Sequence, residues 1–206
     1  GDWLGLLATT AMAQKLSQGN YSTANFAIAG VFIARLLPSV FLGPIAGVIA
    51  DRFDRRKLMV VADLLRGALY ISIAVYQNYY WLYAATILVE CITLFWSPAK
   101  EASVPNLVPK EKLEAANQVS LLAAYGTAPI AAGLFSILAL VSGALTALFP
   151  FLNGNTTTVA LYINALSFFY TAWIVFGMAE IPRGAADAKG GDNIAKSLLE
   201  GWRFVS

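Results

Sequence analysis

Apolar residues fill this chain in long unbroken runs, and short polar clusters separate them. A helix needs about 20 mostly apolar residues to cross a hydrocarbon layer roughly 30 Å thick, and the runs match that length. The pattern predicts six spans. The first is a remnant ending near Leu16, followed by the turn Ser17-Gln18-Gly19-Asn20. The second runs from about Ala24 to Ala50 and stops at the charged block Asp51-Arg52-Phe53-Asp54-Arg55-Arg56-Lys57. The third covers Leu58 to Tyr76, and the fourth covers Tyr80 to Trp96, closed by Ser97-Pro98. The fifth, from Ala115 to Phe149, exceeds one crossing, so it is expected to start at the interface and to carry a bend. The sixth extends from Val159 to Ala179, before Glu180-Ile181-Pro182.

The ends of these runs differ in charge. Arg52, Arg55, Arg56, Lys57, Lys100, Lys110, Lys112, Arg183, Lys189, Lys196 and Arg203 fall on one set of loops and the tail, and the opposite set holds Lys15. Short loops rich in Lys and Arg stay in the cytoplasm, so the basic set is expected there. The other side carries Asn20, Tyr21, Tyr79, Tyr80, Trp81 and Asn153-Gly154-Asn155, a composition suited to the far interface. Residues 1–182 are thus read as one transmembrane bundle, with the first helix truncated because Gly1-Asp2-Trp3 opens inside an apolar stretch. Residues 183–206 are read as a Gly- and Ala-rich linker leading, from Ile194, into an amphipathic helix lying on the membrane face.

Composition narrows the chemistry. Hydrophobic residues make up 58% of the chain and charged residues 13%, against roughly 25% charged in soluble domains. There is one cysteine, Cys91, and no histidine. That excludes disulfide frameworks, Cys/His metal sites and Ser-His or Cys-His nucleophiles. An intramembrane enzyme has no evident nucleophile here, and no cofactor, metal or nucleic-acid partner is expected.

Charges inside the spans are the informative residues, because each costs about 2.5–3.5 kcal/mol to insert and needs a partner, a wet cavity or neutralisation. Asp2, Arg35 and Glu90 lie in spans one, two and four. Glu90 is a protonatable group able to bind and release a proton, or a neutral acid hydrogen-bonded across a helix contact. Arg35 keeps its proton; it can attract an anionic substrate or pair with Asp2 or Glu90. Asp63 and Arg66 in span three are three apart and share a helix face, so they can partly neutralise each other. Gly43 and Gly47 permit close helix approach, and Pro44, Pro129 and Gly133 are candidate bending points. Phe32, Tyr125, Tyr162, Phe168 and Trp173 are candidates to line a cavity, or to face lipid.

The stretch Gly47-Val48-Ile49-Ala50-Asp51-Arg52-Phe53-Asp54-Arg55-Arg56-Lys57 resembles the cytoplasmic loop signature of the major facilitator superfamily. Gly47, Asp51, Arg52, Arg55 and Arg56 match in place, and Asp54 stands where the family usually has a turn glycine. A weaker likeness, Gly126-Thr127-Ala128-Pro129-Ile130-Ala131-Ala132-Gly133, resembles the Gly-Pro motif of antiporters. Val61-Ala62-Asp63-Leu64-Leu65-Arg66, Ser97-Pro98-Ala99-Lys100, Pro105-Asn106-Leu107-Val108-Pro109 and Ala116-Asn117 are similar to the bacterial macrolide-efflux and siderophore-exporter branch.

The resemblance implies an all-α polytopic protein, a six-helix bundle forming one half of a twelve-helix fold. It implies gating by a latch of Gly47, Asp51, Arg52, Arg55 and Arg56, with Asp63 and Arg66, and a cavity bordered by spans one, two and four. The implied partners are a small-molecule substrate, a coupling proton or ion, the lipid bilayer and the C-terminal half of the same transporter. The implied activity is ion-coupled efflux of amphipathic or cationic molecules by alternating access in a bacterial inner membrane. Export or flipping of a lipid or siderophore, and a non-transporting scaffold or sensor, stay open.

Overall fold

Four helices start at a short polar side chain that accepts one of the otherwise unpaired backbone N–H groups of the first turn. In the computed structural model, which describes residues 1–50, 53–148, 155–178 and 181, Asn20 accepts from Thr23 N at 3.2 Å and Asp54 from Lys57 N at 3.1 Å. Asn78 accepts from Tyr80 N at 2.8 Å, and Asn155 from Thr157 N at 2.9 Å. The amides expected at a membrane interface are thus also helix caps. Asp54, which stands where the family usually has a turn glycine, has φ −60°, outside the left-handed region; its carboxylate caps a helix instead.

The helices are α1 (Asp2–Leu16), α2 (Tyr21–Ala50), α3 (Arg55–Val75), α4 (Tyr79–Leu107), α5 (Leu113–Tyr125), α6 (Thr127–Leu148) and α7 (Thr156–Gly177), with a 3₁₀ turn at Lys110–Lys112. No strand occurs among the described residues. Five helical stretches are long and apolar enough to cross a membrane: Tyr21–Gly43, Arg55–Val75, Tyr79–Leu107, Lys110–Ala144 and Thr156–Gly177. At 15 residues α1 is shorter than a crossing requires.

One span boundary differs from the sequence reading. The fourth helix does not stop at Pro98; it continues across Pro98 and Pro105 to Leu107. Proline removes one backbone donor at each position, a loss that spans in a bilayer tolerate; nearby, Arg55 Nη1 and Asn106 Nδ2 both donate to the Ala102 carbonyl, at 3.0 and 3.2 Å, tying α3 to this part of α4. The fifth span carries the bend expected of its length, dividing at Gly126 into α5 and α6. The ring of Pro129 conflicts with the carbonyl four residues earlier, that of Tyr125, so the helix breaks there. A Cβ on Gly126 would stand 2.6 Å from the Leu122 carbonyl oxygen.

Helix α1 packs against α2, α4, α6 and α7, and α3 lies against α4 and α7. The main core joins Leu4, Ala8 and Met12 of α1 to Tyr70 and Ile73 of α3, Leu82 and Ala85 of α4, and Leu161 and Ala165 of α7. A smaller cluster, Met59, Ala99, Val175 and Ile181, closes the end where α3 begins. Outside, α2 exposes Phe26, Leu36, Val40 and Phe41, and α5 and α6 expose Leu122, Ile130 and Leu140. Apolar surface of that extent is prohibitive in water and suits hydrocarbon, where helices satisfy their own backbone.

The glycines that admit close neighbours are not the expected pair. Among the described residues, a Cβ on Gly43 or Gly47 would meet nothing within 4 Å. One on Gly30 would stand 3.0 Å from the Tyr83 ring, and one on Gly67 2.7 Å from the Phe169 ring. Close helix approach therefore runs through Gly5, Gly30 and Gly67. The linker and membrane-face helix expected at 183–206 lie outside the described residues.

Candidate functional site

Asp63, Arg66 and Tyr70 recur at helical spacing, so one face of α3 presents all three toward α1, α4 and α7. Asp63 and Arg66 are fully buried and joined by an ion pair between Oδ1 and Nη2. The second Asp63 oxygen accepts from Trp96 Nε1 at 3.3 Å. The Arg66 guanidinium lies over the Trp96 ring and over the Phe168 ring, 4.6 Å from each centroid. Arginine is suited to this role, since its flat, weakly hydrated cation stacks on aromatic faces. Arg66 Nη1 also reaches Thr93 Oγ1 at 3.4 Å and lies 3.8 Å from Asp2 Oδ1.

The same body extends one turn further. Tyr70 stacks on the other neighbour of the clamp, Phe168, with centroids 5.5 Å apart and planes within 7°. Its hydroxyl occupies the space a Cβ on Gly5 would need, and Asn164 Nδ2 would be 2.9 Å from that Cβ. Only glycine at position 5 lets α1 settle against α3 and α7 here.

A second ionic contact joins α2 to α4. Arg35 Nε meets Glu90 Oε1 at 2.8 Å, with the two side chains 19% and 16% exposed. Of the two partners open to Arg35 in the sequence, the structure selects Glu90; Asp2 goes to Arg66. The two groupings are not electrically separate, because Glu90 feels Arg35, Asp2 and Arg66 together. Two guanidiniums face three carboxylates, so the described interior holds one uncompensated negative charge when all are ionised.

The remaining sequence candidates are dispersed. Asp51 and Arg52 lie outside the described residues. Arg55 is tied to α4 through the Ala102 carbonyl, and Arg56 lies over the Phe176 ring of α7 at 5.3 Å. Helix α2 stays continuous across Pro44, and α6 across Gly133, where a Cβ would find open space. Of the aromatic candidates, Phe32, Tyr125 and Trp173 are exposed, whereas Phe168 is buried under Arg66. Sequence reasoning missed Gly5, Tyr70, Thr93, Trp96 and Asn164. Asn164 carried a signal: it is the lone carboxamide in α7, a helix without any charge.

Comparison with known proteins agrees with this architecture. Residues 4–206 match the family described as transmembrane secretion effectors of the major facilitator class. The chain is 29% identical over 210 residues to YfiS of Bacillus subtilis strain 168, described as an uncharacterized MFS-type transporter, covering 100% of this chain and 46% of that protein. It is 38% identical over 82 residues to macrolide efflux protein A of Enterococcus faecalis, 37% of this chain and 25% of that protein. Rv0037c of Mycobacterium tuberculosis, also described as an uncharacterized MFS-type transporter, is 33% identical over 99 residues, 46% of this chain and 22% of that protein. The chain thus spans less than half the length of these relatives. No solved structure matches it. With the family matched along nearly the whole chain and apolar helices in repeated spans, this multi-pass membrane protein belongs to the transmembrane secretion effector family of major facilitator transporters.

Proposed function

We propose that this chain is one half of an exporter that moves amphipathic, cationic small molecules out of the cell, coupled to inward flow of a proton or other monovalent ion. The observation that carries the reading is the interior charge set: three carboxylates against two arginines, on α1 to α4, bordered by Trp96, Phe168 and Tyr70. Uncompensated negative charge beside aromatic faces favours an organic cation, and ionised groups persist inside a bilayer where they serve a transport path. Similarity to a protein named for macrolide efflux supports the direction, export.

The remainder of the protein supplies a second bundle, and the two rock about a central site. Cation binding shifts the population between the two arrangements by its differential affinity for them. Arg35 and Glu90, linked by one contact and partly accessible, are the pair a substrate can separate. The basic loops, including Gly47, Asp51, Arg52, Arg55 and Arg56, face the cytoplasm of a bacterial plasma membrane. There Asp51 latches onto a helix N-terminus of the second bundle.

Inverted vesicles bearing the full-length transporter, given an imposed pH or sodium gradient, test this with ethidium and a macrolide as probes. Gradient-driven accumulation is expected, reduced at least tenfold in Glu90→Gln. Absence of accumulation for any probe in a panel of dyes and antibiotics would sink the export reading.

A further inference from the structure

The break in the fifth span takes one of its hydrogen bonds from another helix. Thr127 Oγ1 donates to the Ala123 carbonyl at 2.8 Å, and Trp3 Nε1 of α1 donates to the Ala124 carbonyl at 2.6 Å. The next carbonyl, that of Tyr125, stands opposite Pro129, which has no N–H to offer. An indole carries one donor and no acceptor, and in hydrocarbon that donor needs a partner. An intact helix uses its carbonyls for its own amides, whereas a broken one leaves acceptors open. Indole and break therefore satisfy each other.

The two helices joined by this bond are held very differently. Helix α1 buries Ala8, Met12 and Ala13 completely and packs on α2, α4, α6 and α7. Helix α6, beyond the break, packs on α1 and α7. Helix α5 has no buried residue, and Val119, Leu121, Leu122 and Tyr125 are each more than half exposed. It is an arm hinged at Gly126 on a fixed α6. Its 13 residues make a lever about 20 Å long, so a swing of about 10° carries the far end roughly 3–4 Å. Trp3 follows Asp2, whose carboxylate lies 3.8 Å from Arg66, so the bond to the arm and the interior charges share one turn of α1.

We propose that Trp3 is a positioning residue of the transport cycle: its indole N–H ties α5 to α1 in one of the two arrangements and lets go in the other. The proposal rests on the alternating-access reading and names the contact that sets where this arm stands. Gly126 and Pro129 make the bend and keep it without Trp3; the indole selects its angle. A single neutral hydrogen bond suits such a role, because it forms and breaks without moving a charge into or out of the bilayer interior.

The test uses the full-length transporter in nanodiscs, with spin labels at Glu114 of α5 and Val61 of α3, both exposed, in a Cys91→Ser background. Pulsed electron paramagnetic resonance is expected to show two distance populations about 4 Å apart, with a ratio that shifts on adding ethidium. Trp3→Phe, which keeps a ring and loses the N–H, should leave both distances in place and change their ratio at least threefold. In inverted vesicles the same variant should lower the maximal rate of ethidium export at least fivefold and move KM less than twofold. Should Trp3→Phe not fold, benzothienylalanine at position 3, whose ring has sulfur in place of the N–H, decides by the same ratio. A ratio unchanged in the protein without the N–H, whatever its Tm, overturns the tether. So does a single distance indifferent both to ethidium and to the substitution. If the ratio shifts with loss of the N–H while no probe is exported, the export reading fails and the tether stands.

Discussion

The two ionic contacts inside this bundle are built to opposite ends. Arg66 is fully buried, stacked over two rings, shared between two carboxylates and bonded to a hydroxyl. Arg35 makes one contact with Glu90, and both side chains are partly exposed. Burying a charged pair rarely adds stability against an apolar replacement, yet removing one partner of such a pair is severe. A partly exposed pair costs less to break than a fully buried one. One therefore behaves as a fixed part of the scaffold and the other as a contact that can open during each cycle.

The largest effect should come from breaking the fixed contact. Arg66→Ala leaves Asp63 buried without its cation and is expected to cost about 3–5 kcal/mol, read as loss of folded, detergent-extractable protein. Replacing both partners, as Asp63→Leu with Arg66→Met, should recover most of that stability; failure to recover would show that the aromatic clamp depends on the cation itself. Next, Gly5→Ala drives a methyl into Tyr70 and should cost about 1–3 kcal/mol. Adding Tyr70→Phe should return part of it in the same unfolding assay.

Smaller changes are expected on the other side. Arg35→Ala should cost about 1 kcal/mol or less, while export of the probe cation falls at least tenfold. A stability loss as large as that of Arg66→Ala would erase the distinction drawn here. Gly43→Ala, where a Cβ meets nothing, should stay within about 0.5 kcal/mol of the parent in chemical unfolding.

Much of the fold could be read from the residues because a bilayer imposes its thickness on the pattern. The spans, the excess length of the fifth and the Asp63–Arg66 spacing are all local. What could not be read depended on which helices meet. The partner of Arg35 required knowing that α2 lies along α4. The clamp on Arg66 brings together Trp96 and Phe168, far apart in sequence and unremarkable in a chain with 26 aromatic residues, its Trp, Tyr and Phe taken together. Pro98 misled because proline usually ends a helix in water, whereas here the helix runs on through it to Leu107, in a bilayer setting where proline is tolerated within spans. Asn164 was visible as an isolated amide, and its place beside Gly5 waited on the meeting of α7 with α1.

The asparagine starts of α2, α4 and α7 bear on how such a chain is made. All three stand at the end of the bundle opposite the α2–α3 loop, where Lys15 is the sole charged side chain among the described residues. A carboxylate would cap those helices equally well, but it would have to shed its hydration to be threaded through hydrocarbon. With the basic loops on the cytoplasmic side, as proposed above, this is the end that crosses, and carboxamides let each hairpin enter the lipid led by a nearly neutral tip.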